Sequence, residues 1–495
     1  MVRISYVLLS LAFIIVNVIT LSNLVPWIDE VMFLDTSYNA AFHGSWETTA
    51  WYRIVGQHPF SVYPPLYQIL VTVWMWLFGS SLVIVRSLNL LLTFVLGGVC
   101  LRLMKRHELQ LTPWTTVLFT VLLWGTSEMA WTYRNGRPDM LCALMFVLTI
   151  QAIDNYLSAK SLASRIVILI TSALLLCSGV QAAVYLSALW FFYFILMKGR
   201  RMEAIRLFIL LNTGIFLGLL SVSLFMLAHG RFIAFASSII QYSATLSGIA
   251  LVVLPWADEM LCFNLAPYTQ KLQELTTESS LGERIVSITE YRSFLILTIT
   301  ALVAYIICWS HSLRQLRNDK GFLALLCALY VPVIMNLAGR FTNYYRWMAF
   351  LPLMVAIIYL AARHRLCRAI FSVIAVLLTL FGIWSMMPDK RWNYENLQSF
   401  VQWQHFKSSD TVVCPFSTFY EMKPVCDTCY FAGIFPTEYI GHVDYIIESP
   451  DGDIFDQRIT DYIDKLKADT TIMLTVINHC NYPSLTLYHV QMKHE

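Results

Sequence analysis

Three stretches of the chain, Ile4 to Val25, Ile166 to Leu196 and Leu207 to Leu227, contain no charged residue, and a fourth, Leu82 to Leu101, is broken only by Arg86. About 20 apolar residues in a helix cross a hydrocarbon core of roughly 30 Å, inside which every backbone polar group must find an internal partner. These runs therefore predict membrane-spanning helices. Composition agrees, because 58% of the 495 residues are hydrophobic and 13% charged, against about 25% charged in an ordinary soluble domain. The N-terminal run is longer than a signal-peptide core and lacks a small-x-small cleavage site, so it reads as a retained span. The net charge of +3 comes without a basic tail or block, which argues against a nucleic-acid partner.

Basic residues set the expected topology. Arg102-Lys105-Arg106, Lys160-Arg165, Lys198-Arg200-Arg201-Arg206, Arg314-Arg317-Lys320 and Arg363-Arg365-Arg368 all belong in the cytoplasm by the positive-inside rule. One side accommodates them all if spans lie near 4–25, 82–103, 113–132, 137–157, 163–178, 180–198, 204–228, 291–309, 321–338, 344–362 and 367–387. That predicts about eleven transmembrane helices with the N-terminus inside. Pro64 to Gly79 is too short to cross, and Arg231 to Trp256 is diluted by Ser237, Ser238, Gln241 and Ser243. Both read as juxtamembrane or re-entrant. The expected organisation is a transmembrane catalytic domain over 1–388, with outer loops at 26–81 and 228–291, and a soluble domain over 389–495 on the non-cytoplasmic side.

The tail has its own pattern. Short apolar runs at Thr411–Cys414, Val443–Ile447, Ile472–Val476 and Leu485–Val490 predict strands, and Phe455, Ile459, Ile463 and Leu466 recur at helical spacing. A small α/β domain follows. It holds Cys414, Cys426, Cys429 and Cys480. An even number in an oxidising compartment suggests two disulfides; the other readings are a zinc site using Cys426-x-x-Cys429 with His442 or His479, and free thiols.

Carboxylates stand where apolar surroundings make them costly. Pro26-Trp27-Ile28-Asp29-Glu30 follows the first span, and Tyr133-Arg134-Asn135-Gly136-Arg137-Pro138-Asp139 joins two later spans. Taken singly, each has a plain reading: a solvated loop start anchored by Trp27, and a charged turn with Arg–Asp pairing. The expected topology puts both on one face with Arg340, Tyr344, Tyr345 and Arg346. A carboxylate to activate an acceptor and arginines to hold a phosphate are the parts that transfer from a phosphate-linked donor requires.

Asp29-Glu30 with Ala40-Ala41-Phe42-His43-Gly44-Ser45-Trp46 resembles the first outer loop of the GT-C glycosyltransferases, above all the protein O-mannosyltransferases and lipid A aminoarabinose transferases. His58-Pro59, Tyr63-Pro64-Pro65-Leu66-Tyr67, Leu77-Phe78-Gly79 and Val85-Arg86-Ser87-Leu88 are similar to the stretch that follows in those families. Arg137-Pro138-Asp139-Met140 looks like their Arg-x-Asp motif, and Arg340 to Pro352 loosely resembles their late Arg-Tyr…Leu-Pro segment, with the order Tyr-Tyr-Arg instead. The resemblance implies a polyprenyl-phosphate sugar donor and inversion at the anomeric carbon. Asp29 would be the base, Glu30 would support it or contact the acceptor, and Asp139 would orient the acceptor or hold a cation. Arg137, Arg346 and Arg340, with Tyr345, would grip the donor phosphate. His58, Tyr63 and Tyr67 would line the pocket, although outer aromatic residues also serve as an interfacial belt.

Expected partners are therefore the membrane, the lipid-linked donor and an acceptor glycan, lipid or protein. The sequence identifies no cofactor, and a divalent cation is left open. The expected location is a bacterial inner membrane with the tail periplasmic. The alternatives are a transporter or flippase of a lipid-linked solute and a non-catalytic assembly subunit. A transporter would show internal repeats and midplane charges; the charges here sit at the outer edge.

Overall fold

The computed structural model describes residues 2–48, 50, 63–107, 109, 111–179, 201–236, 292–309, 319–337, 345–386, 392–431, 440, 442–449, 454–469 and 471–492. The expected span at 180–198, most of the second outer loop and the Pro388 boundary lie outside these residues.

Helices dominate the first 385 residues. They are α1 (Val2–Thr20), α2 (Ile28–Phe42), α3 (Leu66–Phe78), α4 (Leu82–Arg106), α5 (Pro113–Gly125), α6 (Ser127–Tyr133), α7 (Asp139–Ala159), α8 (Leu162–Ser178), α9 (Arg201–Ala228), α10 (Arg292–Trp309), α11 (Lys320–Leu337), α12 (Arg346–Arg363) and α13 (Arg365–Ser385). Among the described residues six are long and apolar enough to cross a bilayer: α1, α4, α7, α9, α12 and α13. Their outward side chains are apolar, as with Leu8, Leu11 and Ile15 on α1 and Val373, Leu377 and Leu380 on α13. The chain is an integral membrane protein. The helices α3, α5, α8, α10 and α11 are apolar but shorter.

The span expected at 113–132 is two helices. Thr126 takes an extended conformation between α5 and α6. Here α13 comes close enough that a Cβ on Gly125 would strike Thr379, and one on Gly382 would strike the Gly125 carbonyl. Small residues at such a crossing let two backbones touch.

Beyond α13 come α14 (Tyr394–Trp403), α15 (Phe419–Met422), α16 (Ile454–Ala468) and five strands: β1 (Thr411–Cys414), β2 (Thr428–Phe431), β3 (Tyr445–Glu448), β4 (Ile472–Asn481) and β5 (Ser484–Met492). The sheet order is β2-β1-β3-β5-β4, with β1 parallel to β2 and β3, and β5 antiparallel to β3 and β4. Side chains alternate between two cores, as the period of 2 in a strand dictates. Val413, Ile446, Tyr488 and Val490 pack with Ile459, Ile463 and Leu466 of α16. Val412, Cys414, Ile447, Leu485 and Leu487 belong to the large core that includes Val31, Phe33 and Leu34 of α2. The sheet thus has one face for its own helix and one for the bundle.

The four tail cysteines, expected to form two disulfides, are free thiols. Sheet order explains why all four cannot pair: Cys480 lies on β4, at the edge opposite β2, which carries Cys429. Cys429 instead approaches the Cys426 carbonyl at 3.3 Å and the Met422 carbonyl at 3.6 Å. Strand β2, unpredicted, is a four-residue parallel edge, Thr-Cys-Tyr-Phe, without the aliphatic run that marks β1 and β3.

Candidate active site

One end of the bundle gathers the C-terminal end of α1 and the N-terminal ends of α2, α4, α7 and α12. Pro26 ends the preceding segment and α2 begins at Ile28, so Asp29 and Glu30 fall in its first turn. Asp139 opens α7 directly after Pro138. Exposed helix N–H groups favour carboxylates at both positions. The two helices bring these acids together across a gap of more than a hundred residues.

Arg137 joins them. Its Nη1 bonds Asp29 Oδ2, and its Nε lies 2.8 Å from Asp139 Oδ2. The Arg137 and Asp139 side chains are 2% and 1% exposed, whereas Asp29 is 20% exposed. The guanidinium also sits 5.5 Å from the Trp27 ring centre and 5.7 Å from that of Phe33, within cation–π range. Burial works to lower the Arg137 pKa, but Asp139 and Asp29 outweigh it and hold the group well above the ordinary arginine range. The cation is permanent. Trp347 donates its indole N–H to Asp139 Oδ1 at 3.3 Å. The backbone carrying Arg137 is held by Asn89, whose amide donates to the carbonyls of Asn135 and Arg137 at 2.6 and 2.9 Å.

Glu30, one residue from Asp29, faces elsewhere. Arg86 grips it with Nε to Oε1 at 2.8 Å and Nη2 to Oε2 at 2.6 Å, and both side chains are fully buried. Arg86 Nη1 also donates to the carbonyls of Leu21 and Leu24. Gly136 N–H donates to Glu30 Oε1 at 3.0 Å. So Glu30 ties α2 to α4 and to the loop bearing Arg137.

The aromatic positions divide. Tyr63 and Tyr345 share a hydrogen bond of 3.1 Å between hydroxyls, close to Arg137. Tyr67 is buried edge-on to Phe33, deeper in the core. Arg346 opens α12, half-buried, next to Tyr345. His58 and Arg340 lie outside the described residues. Among the described residues no group of three or more His, Cys, Asp and Glu is arranged to hold a metal ion.

Sequence reasoning assigned no role to Arg86, Asn89, Trp347, Asp35 or Tyr420. The signal for Arg86 was available: a lone charge inside an apolar run demands a partner. Asp35 is buried against Lys423, 2.8 Å from its Nζ, and accepts from Thr48 Oγ1 at 2.7 Å. Tyr420 donates to Glu30 Oε1 at 2.9 Å. Nothing in the local sequence announces contacts across nearly 400 positions.

No protein-family model matches the chain, and no curated protein sequence matches it. Solved structures do. The oligosaccharyltransferase of Archaeoglobus fulgidus in complex with zinc and sulfate superposes with a TM-score of 0.51 at 10% identity, over 89% of this chain and 67% of that one. ArnT from Cupriavidus metallidurans, bound to undecaprenyl phosphate, gives 0.49 at 11% identity, with 97% of each chain covered. AglB from A. fulgidus, with an inhibitory peptide and a dolichol-phosphate, gives 0.48 at 10% identity over 88% of this chain and 69% of that one. At such identities the likeness concerns the fold alone, which this chain shares with the A. fulgidus oligosaccharyltransferase.

Proposed function

We propose that the chain is an inverting glycosyltransferase that moves a sugar from a polyprenyl-phosphate donor to an acceptor glycan, lipid or protein on the non-cytoplasmic face of the membrane. The observation that carries this reading is one node: Asp29, partly open to solvent, shares Arg137 with the buried Asp139.

The chemistry follows from the three groups. The acceptor hydroxyl gives its proton to Asp29 as its oxygen attacks the anomeric carbon from the face opposite the phosphate. The bond from that carbon to the phosphate oxygen breaks, and the lipid phosphate leaves with the electron pair. Arg137 meets the charge that develops there, in a setting where water screens little. At rest Arg137 is occupied by both carboxylates. A phosphate competing for Nη1 releases Asp29, so donor binding unmasks the base. Asp139 stays on Nε and keeps the guanidinium oriented. Tyr345 adds a hydrogen bond to the phosphate, with Arg346 and Arg340 as further cationic contacts and Tyr63, Tyr67 and His58 along the pocket. Glu30 supports Asp29 from behind.

Sidedness fits the same reading. Arg106 pairs with Asp154 at 2.9 Å, and Lys320 reaches His107 at 3.3 Å, at the ends of α4 and α7 remote from the site. Basic clusters at that end support a cytoplasmic assignment. The site then faces the periplasm of a bacterial inner membrane, with eleven spans and a non-cytoplasmic tail.

The test is to incubate the purified protein in detergent with a panel of polyprenyl-phosphate sugars and candidate acceptors. Donor consumption with inverted product supports the reading. A folded protein that consumes no donor of the panel points instead to a transporter, a flippase or an assembly subunit.

A further inference from the structure

Among the described residues, one short segment of the tail bonds side chains of α2 next to the node. Tyr420 on α15 donates to Glu30 Oε1 at 2.9 Å, and Lys423, just past that helix, lies 2.8 Å from Asp35 Oδ1. Tyr420 is 5% exposed and Glu30 fully buried. The two acceptors stand five residues apart on α2, so together they fix the rotation and tilt of the helix whose first turn carries Asp29. The contacts differ in kind. Lys423 and Asp35 form a buried ion pair that docks the tail. Tyr420 adds a hydroxyl to an oxygen that already receives Arg86 Nε at 2.8 Å and Gly136 N–H at 3.0 Å. The described hydrogen bond of that hydroxyl goes to Glu30, outside the tail, and the ring alone packs against Phe419.

We infer that Tyr420 is a positioning residue for transfer: through Glu30 it sets the distance between Asp29 and the loop that carries Arg137. This rests on the reading of Asp29 as the base. Three donors on one oxygen hold Glu30 in a single rotamer, and Gly136 follows it. Without the phenol Arg86 still holds both oxygens, but Oε1 shifts toward Arg86 and the Gly136 hydrogen bond lengthens, so the Asp29–Arg137 spacing loosens while the Lys423–Asp35 pair keeps the tail in place. Misplacement of about an ångström is enough to cost a reaction roughly a hundredfold.

The test compares Tyr420→Phe, Glu30→Gln and the double variant, each scored per folded molecule. Tyr420→Phe should lower kcat by about 10-fold or more with donor KM unchanged. The double variant should be no slower than Glu30→Gln, because the hydroxyl acts only through that carboxylate. An unchanged kcat in Tyr420→Phe, or effects that multiply in the double variant, overturns the inference. Amide exchange over 134–139 supplies a readout independent of transfer: it should quicken in Tyr420→Phe as the Gly136 hydrogen bond loosens. Unchanged exchange overturns the positioning role whatever the activity. Quicker exchange in a protein whose wild type transfers nothing upholds the coupling and removes the transferase reading instead.

Discussion

Asp29 and Glu30 are neighbours in the chain with opposite surroundings. Glu30 is fully buried, held bidentate by Arg86, and takes further bonds from Gly136 and Tyr420. Asp29 keeps one-fifth of its side-chain surface and shares its guanidinium with Asp139. A buried ion pair contributes little net stability when made but costs much when one partner is removed. A carboxylate reachable from solvent and held by an exchangeable cation can still take up a proton. The comparison separates two kinds of acid within one motif: one holds the loop together, and the other, open to solvent, is the one the proposed function takes as the base.

Breaking the buried node should have the largest effect. Arg86→Ala leaves Glu30 charged and unpaired, and about 3–5 kcal/mol of stability should be lost. Thermal unfolding in detergent measures it; a variant as stable as wild type would mean that Glu30 is not the structural member. Arg137→Lys keeps the charge but loses the planar fork that spans both carboxylates. Transfer should fall about 10²- to 10³-fold, while Arg365→Ala on an exposed cation leaves the rate near wild type. Equal loss in both would remove the phosphate role. Gly136→Ala sharpens the contrast at lower cost. A Cβ there would come within 2.7 Å of Leu34 Cδ1 and 3.1 Å of Glu30 Cγ, and such overpacking costs about 1–3 kcal/mol. A neutral result in the same unfolding assay would show that the loop and α2 are not pressed together. Ser409→Cys perturbs nothing and reports sidedness. An impermeant thiol reagent should label it from the non-cytoplasmic side, and labelling from the cytoplasm alone would reverse the topology.

How much of this the sequence disclosed depends on the range of the physics involved. Apolar length is local, so α1, α4 and the helices from α7 to α13 were legible, as were four of five strands and α16, whereas α2 lay in what read as an outer loop. Thr126 was not legible, because the break between α5 and α6 lies where Gly382 approaches from a helix more than 250 positions away. Asp29, Arg137 and Asp139 stood out as charges near apolar runs, and the structure brings all three into contact. Which acid would face solvent did not follow from the sequence, because Arg86, Gly136 and Tyr420 decide it from three distant segments. The expectation of two disulfides failed in part for a similar reason: sheet order sets Cys480 apart, while Cys414, Cys426 and Cys429 lie side by side as thiols.

The most direct measurement is sugar transfer by purified wild type and Asp29→Asn, side by side, with the donor that the panel identifies. The account predicts that Asp29→Asn unfolds near the wild-type temperature, because its side chain is partly solvated, and transfers at least about 10²-fold more slowly. An Asp29→Asn protein that is folded and turns over at the wild-type rate would contradict it.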